Sequence, residues 1–169
     1  MLWYNVCCGN IYQEVIFLGK NTKSLVLSRI LTAVTAGIFF ILTFFVPAVA
    51  RWYEDFSAGE GLIHGGMVIP VCSGLYFCEV MAFFALWNLN RLLDNIGKNI
   101  VFESQNTKCL KHISFACMLA GAGFLFVGLW RYIFFCPALF AFMLGLIMRV
   151  LENVFQKAVE IKSENDFTI

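Results

Sequence analysis

The chain has 169 residues, of which 60% are hydrophobic and only 14% charged, and phenylalanine alone occurs 19 times. Soluble domains run nearer 45–50% apolar and about 25% charged, and a water-soluble globule of this length could not hide so much apolar surface. The composition therefore excludes a soluble enzyme and a disordered tail. A net charge of +1 provides no basic field for a phosphate backbone, so direct nucleic-acid binding is not expected. An integral membrane protein remains.

Crossing a hydrocarbon core of about 30 Å takes about 20 largely apolar residues. Residues 1 to 19 lack a basic leader and a small-residue cleavage site, so no secretory signal peptide is expected there. With the residues up to 24 they read as a cytoplasmic or interfacial segment. The first span is expected over about 30–50, ending near Pro47 and followed by Arg51-Trp52-Tyr53. The second is expected over 67–89, with Pro70 in its first turn, where a missing N–H costs nothing. From Ile113 to Met148 the chain is apolar except for Arg131. As one helix it would be ~54 Å long, too long for a bilayer. It must fold back near Arg131 to Pro137, giving spans over about 113–130 and 137–151. The fourth is short unless Arg149 snorkels and the helix continues through Val154 and Phe155. The expectation is an all-α integral membrane four-helix bundle over 25–151, followed by an amphipathic tail over 152–169.

Four spans place the N-terminus, the second loop and the C-terminus on one side. That side holds Lys20, Lys23, Arg29, Arg91, Lys98, Lys108, Lys111, Arg149, Lys157 and Lys162, and the other only Arg51 and Arg131. Such a bias predicts that both termini are cytoplasmic. Trp3, Trp52, Trp87 and Trp130 fall near the expected interfaces, as an aromatic belt requires.

Outside the membrane, Arg51 to Gly66 forms an acidic, glycine-bearing loop with Glu54, Asp55 and Glu60. It reads as a solvated connector, or else as an attractor for a cationic peptide or ion. On the basic side, Leu89, Leu92, Leu93 and Ile96 recur at helical spacing, so the second helix should run beyond the bilayer until Gly97. Ser104 is expected as the N-cap of the third. In the tail, Val154, Phe155, Ala158, Val159 and Ile161 form one apolar face between charged residues. Such a face packs against the protein's own loop, lies on the membrane or docks a partner helix.

Glu79 is the one charge in the second span, close to its midpoint. An ionised carboxylate there costs on the order of 2.5–3.5 kcal/mol. It is therefore either a proton, cation or ligand site, or a neutral acid that fixes helix pairing through a hydrogen bond. Thr35, Thr43 and Ser73 are its polar candidates. The seven cysteines (Cys7, Cys8, Cys72, Cys78, Cys109, Cys117, Cys136) are odd in number and show no C-x-x-C, so they suggest neither a disulfide framework nor a zinc site. A membrane thiol oxidoreductase would need a vicinal pair that is missing, and most of the seven read as small apolar fillers. His64 and His112 lie on opposite sides and cannot share a haem or metal. No cofactor, metal ligand set or catalytic residue is expected. Ala116, Ala120, Gly121 and Gly123 in the third span, and Ala141 and Gly145 in the fourth, allow close helix approach within the bundle or in a homodimer.

Two stretches carry a resemblance. NLNRLLDNIGKNIVFESQNTKCLKHIS, with Leu92, Leu93, Phe102, Asn106, Leu110 and Ile113, resembles the inner loop of the bacterial domain-of-unknown-function 2975 family. VFQKAVEIKSENDFTI resembles that family's closing signature, with Phe167 where leucine is usual. The resemblance covers about Ser24 to Ile169, residues 1–20 reading as an extra N-terminal piece or an early start. It implies a small multi-pass protein of the bacterial cytoplasmic membrane, often encoded beside a small helix-turn-helix regulator. It further implies a non-enzymatic, regulatory role in which a cytosolic protein docks on the inner loop and tail. The docking candidates are Phe102, Asn106, Glu160, Lys162, Glu164, Asn165, Asp166 and Phe167. The alternative is a small transporter, channel or peptide-immunity protein that uses Glu79.

Overall fold

The computed structural model describes residues 2–56, 62–63, 66, 68–98 and 103–166, with side chains described over 24–55 of the first helix and up to 164 of the last. All regular structure among them is helical: α1 (Leu2–Phe56), α2 (Val68–Gly97), α3 (Ser104–Gly128) and α4 (Phe135–Asp166), with a single 3-10 turn over Tyr132–Phe134 before α4. Four segments, Ser24–Asp55, Val68–Gly97, Ser104–Gly128 and Tyr132–Glu164, are long and apolar enough to cross a membrane.

Each helix outruns its expected apolar run, for local reasons. α1 does not stop near Pro47 but carries the proline in its interior. A spanning helix tolerates that when a neighbouring helix supplies the lost hydrogen bond. α2 ends at Gly97, where the Lys98 N–H donates back to the carbonyls of Asp94 and Asn95. Ser104 is not the N-cap of α3. Glu103 takes that position in extended backbone and makes no side-chain cap bond, so Ser104 is the first helical residue. The fold-back begins after Gly128, where the Trp130 and Arg131 N–H groups both donate to the Val127 carbonyl. Pro137 then falls in the first turn of α4. The fourth segment is therefore not short: α4 runs unbroken from the membrane segment into the tail.

The backbones pack in chain order, α1 on α2, α2 on α3 and α3 on α4, and among the described residues no close backbone contact joins α1 to α3 or α4. Small residues set the spacing. A Cβ at Gly74 of α2 would collide with the Val127 side chain of α3. One at Gly145 of α4 would stand 3.0 Å from Met118 and 3.3 Å from the Ser114 carbonyl of α3. The Ser114 hydroxyl donates to the Gly145 carbonyl at 2.8 Å across the same seam. Without a hydrophobic drive between helices in lipid, such close approach and interhelical bonding hold spans together.

Two buried clusters close the ends. Ala50, Val71 and Val127 join α1, α2 and α3 at one end, flanked by Tyr53, Trp130 and Phe134. Leu92, Cys109 and Leu110 lie at the other, flanked by Ile96, Met148 and Phe155. The outward faces of α1 and α4 expose Ile30, Leu31, Ile38, Phe40, Leu139, Phe140, Leu146 and Ile147. So wide an apolar surface suits lipid rather than water. Arg29, Arg91, Lys98, Lys108, Lys111, Arg149, Lys157 and Lys162 gather at the end holding the second cluster, called the basic end below.

Candidate functional site

At mid-depth, α1 and α2 are joined by polar contacts, one of them at the carbonyl that Pro47 leaves open. A proline has no N–H for the carbonyl four residues earlier, which here belongs to Thr43. The Tyr76 hydroxyl of α2 donates to that carbonyl at 3.3 Å. One turn on, Glu79 Oε1 lies 2.6 Å from Thr43 Oγ1, which donates to it. The same hydroxyl is 3.2 Å from the Phe39 carbonyl. Glu79 is 9% exposed, so its carboxyl faces protein rather than lipid. Of the three polar candidates only Thr43 reaches it. Thr35 and Ser73 donate to their own helices, at the carbonyls of Leu31 and Pro70. The arrangement can hold a carboxyl at mid-depth and lock two helices in register. Among the described residues no second titratable side chain joins it through a hydrogen bond or ion pair.

Among the described residues the cysteines form no disulfide. Cys72, Cys78, Cys109, Cys117 and Cys136 are all free thiols. Cys78 Sγ lies 3.4 Å from the Ala120 carbonyl in the α2–α3 seam, and Cys109 belongs to the apolar cluster of the basic end. The side chains of Cys7 and Cys8 lie outside the described residues, as does His64. Among the described residues no group of three or more His, Cys, Asp or Glu side chains is placed to hold a metal ion.

The basic end is more elaborate. Asn106, expected on a docking surface, is instead 0% exposed. Its Oδ1 accepts a 2.7 Å bond from Asn95 Nδ2 of α2, so it ties α3 to α2 inside the protein and is not available to a partner. Burial of an amide is tolerated because its hydrogen bonds are made. Arg29 of α1 pairs with Asp94 of α2 at the same level, a link between helices that the sequence reading missed. Phe102 and Phe167 lie outside the described residues, as do the side chains of Asn165 and Asp166 in the final turn. Glu160, Lys162 and Glu164 are exposed on the far end of α4.

Between the start of α3 and the end of α4 lies a crevice of about 350 Å³, whose walls include Thr107, Lys108, Lys111, Glu152 and Glu160. Glu152 is only 7% exposed. Its Oε2 makes no hydrogen bond, and the nearest cation is Arg149 Nη1 of the same helix at 3.7 Å. Sequence reading overlooked Glu152, though a signal was present. It sits four residues from Met148 and three from Phe155, on the buried side of an amphipathic helix. The apolar tail face divides: Phe155 packs on the Leu92–Leu110 cluster, while Val154 and Ile161, one heptad apart, stay exposed.

At the opposite end Arg131 is buried, its guanidinium 5.9 Å from the centre of the Tyr53 ring, and Tyr53 meets Phe134 edge-on. The backbone N–H groups of Leu62 and Ile63 donate to the Leu129 carbonyl, fastening part of the first loop onto the fold-back. Glu54 and Asp55 are exposed there.

The family described as "Protein of unknown function (DUF2975)" matches residues 55–169. The match begins later than the Ser24 suggested by the motifs, so most of α1 lies outside it. An uncharacterized membrane protein, YoaS, of Bacillus subtilis (strain 168) is 26% identical over 166 residues, covering 88% of this chain and 99% of the relative. No solved structure matches.

Proposed function

The chain belongs to the DUF2975 family, and on that premise we propose that this multi-pass membrane protein is a non-enzymatic docking protein of the bacterial cytoplasmic membrane. Its basic end faces the cytosol and binds a soluble regulatory protein. The ten-to-two distribution of Lys and Arg supports that orientation. The observation that carries the docking reading is the continuation of α4 to Asp166 as one unbroken helix. From Glu152 onward it adds roughly 20 Å of helix beyond the apolar segment. That rod exposes Val154 and Ile161 among Lys157, Lys162 and Glu164, an apolar stripe edged by charge of the kind a partner helix reads at i and i+7. A small helix-turn-helix regulator is the partner to which the sequence resemblance points.

The test is co-purification from gently solubilised native membranes with an N-terminally tagged chain, as the full chain, as a chain ending at Lys162 and as the full-length double variant Val154→Ser/Ile161→Ser. A helix-turn-helix protein recovered with the full chain and lost with the double variant supports the reading, and its loss with the shortened chain extends the surface to the last residues. Recovery with the double variant equal to that with the full chain overturns the assignment to the tail.

One observation favours a second reading, a small transporter, channel or peptide-immunity protein: a 9%-exposed carboxyl at mid-depth, joined to Thr43. Intramembrane carboxyls commonly mark ion or proton pathways. Glu79→Gln then abolishes flux or protection at unchanged protein level. Unchanged activity removes that reading.

A further inference from the structure

The crevice at the basic end has a depth, a charge pattern and an unmet need that together describe an occupant. Its walls begin one turn beyond the apolar segments, since α4 is uncharged from Phe135 to Met148 and α3 from Ile113 onward. That is the level of phospholipid headgroups in a bilayer spanned by these helices. The α3 wall carries Lys108 and Lys111, and the α4 wall carries Glu152 and Glu160. Among the described residues no ion pair closes across the gap; Glu152 Oε2 instead lies 3.7 Å from Arg149 Nη1 of its own helix, too far for a hydrogen bond. The lining is thus formally neutral, with its two signs on separate walls. Two atoms at its edge are buried without a hydrogen-bond partner, Thr107 Oγ1 and Glu152 Oε2. A buried carboxylate oxygen left so is costly unless a donor meets it. Glu160 is better served, by Gln156 Nε2 at 3.2 Å.

We propose that this crevice holds the headgroup of an aminophospholipid, phosphatidylethanolamine, with its phosphate between Lys108 and Lys111 and its primary ammonium on Glu152. A zwitterionic headgroup matches walls of opposite sign, and an ammonium brings three N–H donors to a carboxylate that Arg149 pairs with at 3.7 Å but does not hydrogen-bond. The volume is in the range of small-ligand sites. Ser104, Lys108, Lys111, Phe115 and Met118 share one face of α3, spaced four, three, four and three residues apart. Phe115 and Met118 are exposed, so an acyl chain descending from the headgroup meets apolar side chains directly below the lysines. The site goes beyond the docking reading and does not depend on it.

The test is native mass spectrometry of the full chain released from vesicles of equal phosphatidylethanolamine, phosphatidylcholine and phosphatidylglycerol. Phosphatidylcholine keeps the phosphate and the positive charge but offers no N–H, which isolates the bond to Glu152. The expected result is enrichment of phosphatidylethanolamine about tenfold over phosphatidylcholine, the effect of one charge-assisted hydrogen bond. Glu152→Gln abolishes that preference. The double variant Lys108→Gln/Lys111→Gln, at exposed positions, lowers retention of every phospholipid and decides the matter if Glu152→Gln does not fold. Equal retention of the two zwitterionic lipids, a preference for phosphatidylglycerol, or a bound protein in place of lipid overturns the proposal, as does an unchanged lipid profile in the variants.

Discussion

The Tyr76 hydroxyl donates to the Thr43 carbonyl at 3.3 Å, the acceptor that Pro47 leaves without its intrahelical N–H. A helix-breaking residue in α1 thereby becomes a point of attachment for α2, one turn from Glu79. If that account holds, the two residues are energetically coupled. Tyr76→Phe costs about 1 kcal/mol in the native chain. It costs close to nothing in a Pro47→Ala background, where the backbone N–H returns. A double-mutant cycle on unfolding in detergent micelles measures the coupling, and equal costs in both backgrounds contradict it.

The bond between Thr43 and Glu79 should be worth what interhelical hydrogen bonds in membranes are usually worth. Thr43→Val keeps the shape and removes the donor, and is expected to cost about 0.6–1.7 kcal/mol. Glu79→Gln, which keeps an acceptor oxygen, costs less. Unfolding equilibria of the two variants rank them, and the reverse order contradicts the hydrogen-bond geometry.

Close approach of α2 and α3 at Gly74 gives a size-dependent prediction. Gly74→Ala drives a methyl into Val127 and is expected to destabilise by about 1–3 kcal/mol, the usual cost of overpacking. Val127→Ala in the same chain makes room for that methyl, so the double variant recovers part of the loss. Additive losses would place the helices further apart than described.

Asn106 separates fold from docking. Asn106→Ala leaves the Asn95 amide without its 2.7 Å partner and should cost about 1–3 kcal/mol of stability. Partner recovery per folded molecule stays unchanged, because the residue is not at the surface. Loss of partner binding with normal thermal stability would return Asn106 to the docking surface.

The sequence reveals the number of helices because four apolar runs of bilayer length stand apart from everything else in the chain. Their ends are less legible. Pro47 reads as a stop, but the donor that lets α1 continue sits on another helix, at Tyr76, 29 positions away in sequence. The length of α4 is hidden because its second half changes from an all-apolar to an amphipathic pattern without changing structure. Glu79 is conspicuous as a lone charge in an apolar run, and Thr43 is among its foreseeable partners. Glu152 and Asn106 are not conspicuous, since each sits among other polar residues. Only the packing of α3 against α2 and α4 turns one into a buried carboxylate and the other into an internal clasp.

The central claim, that a cytosolic protein docks on the projecting end of α4, is tested most directly by a photo-crosslinking residue placed in living cells at Glu164, with Asp55 at the opposite end as control. The account predicts a specific adduct with a soluble helix-turn-helix protein from position 164 and none from position 55. An adduct with that protein from position 55, or only lipid adducts from position 164, would contradict it.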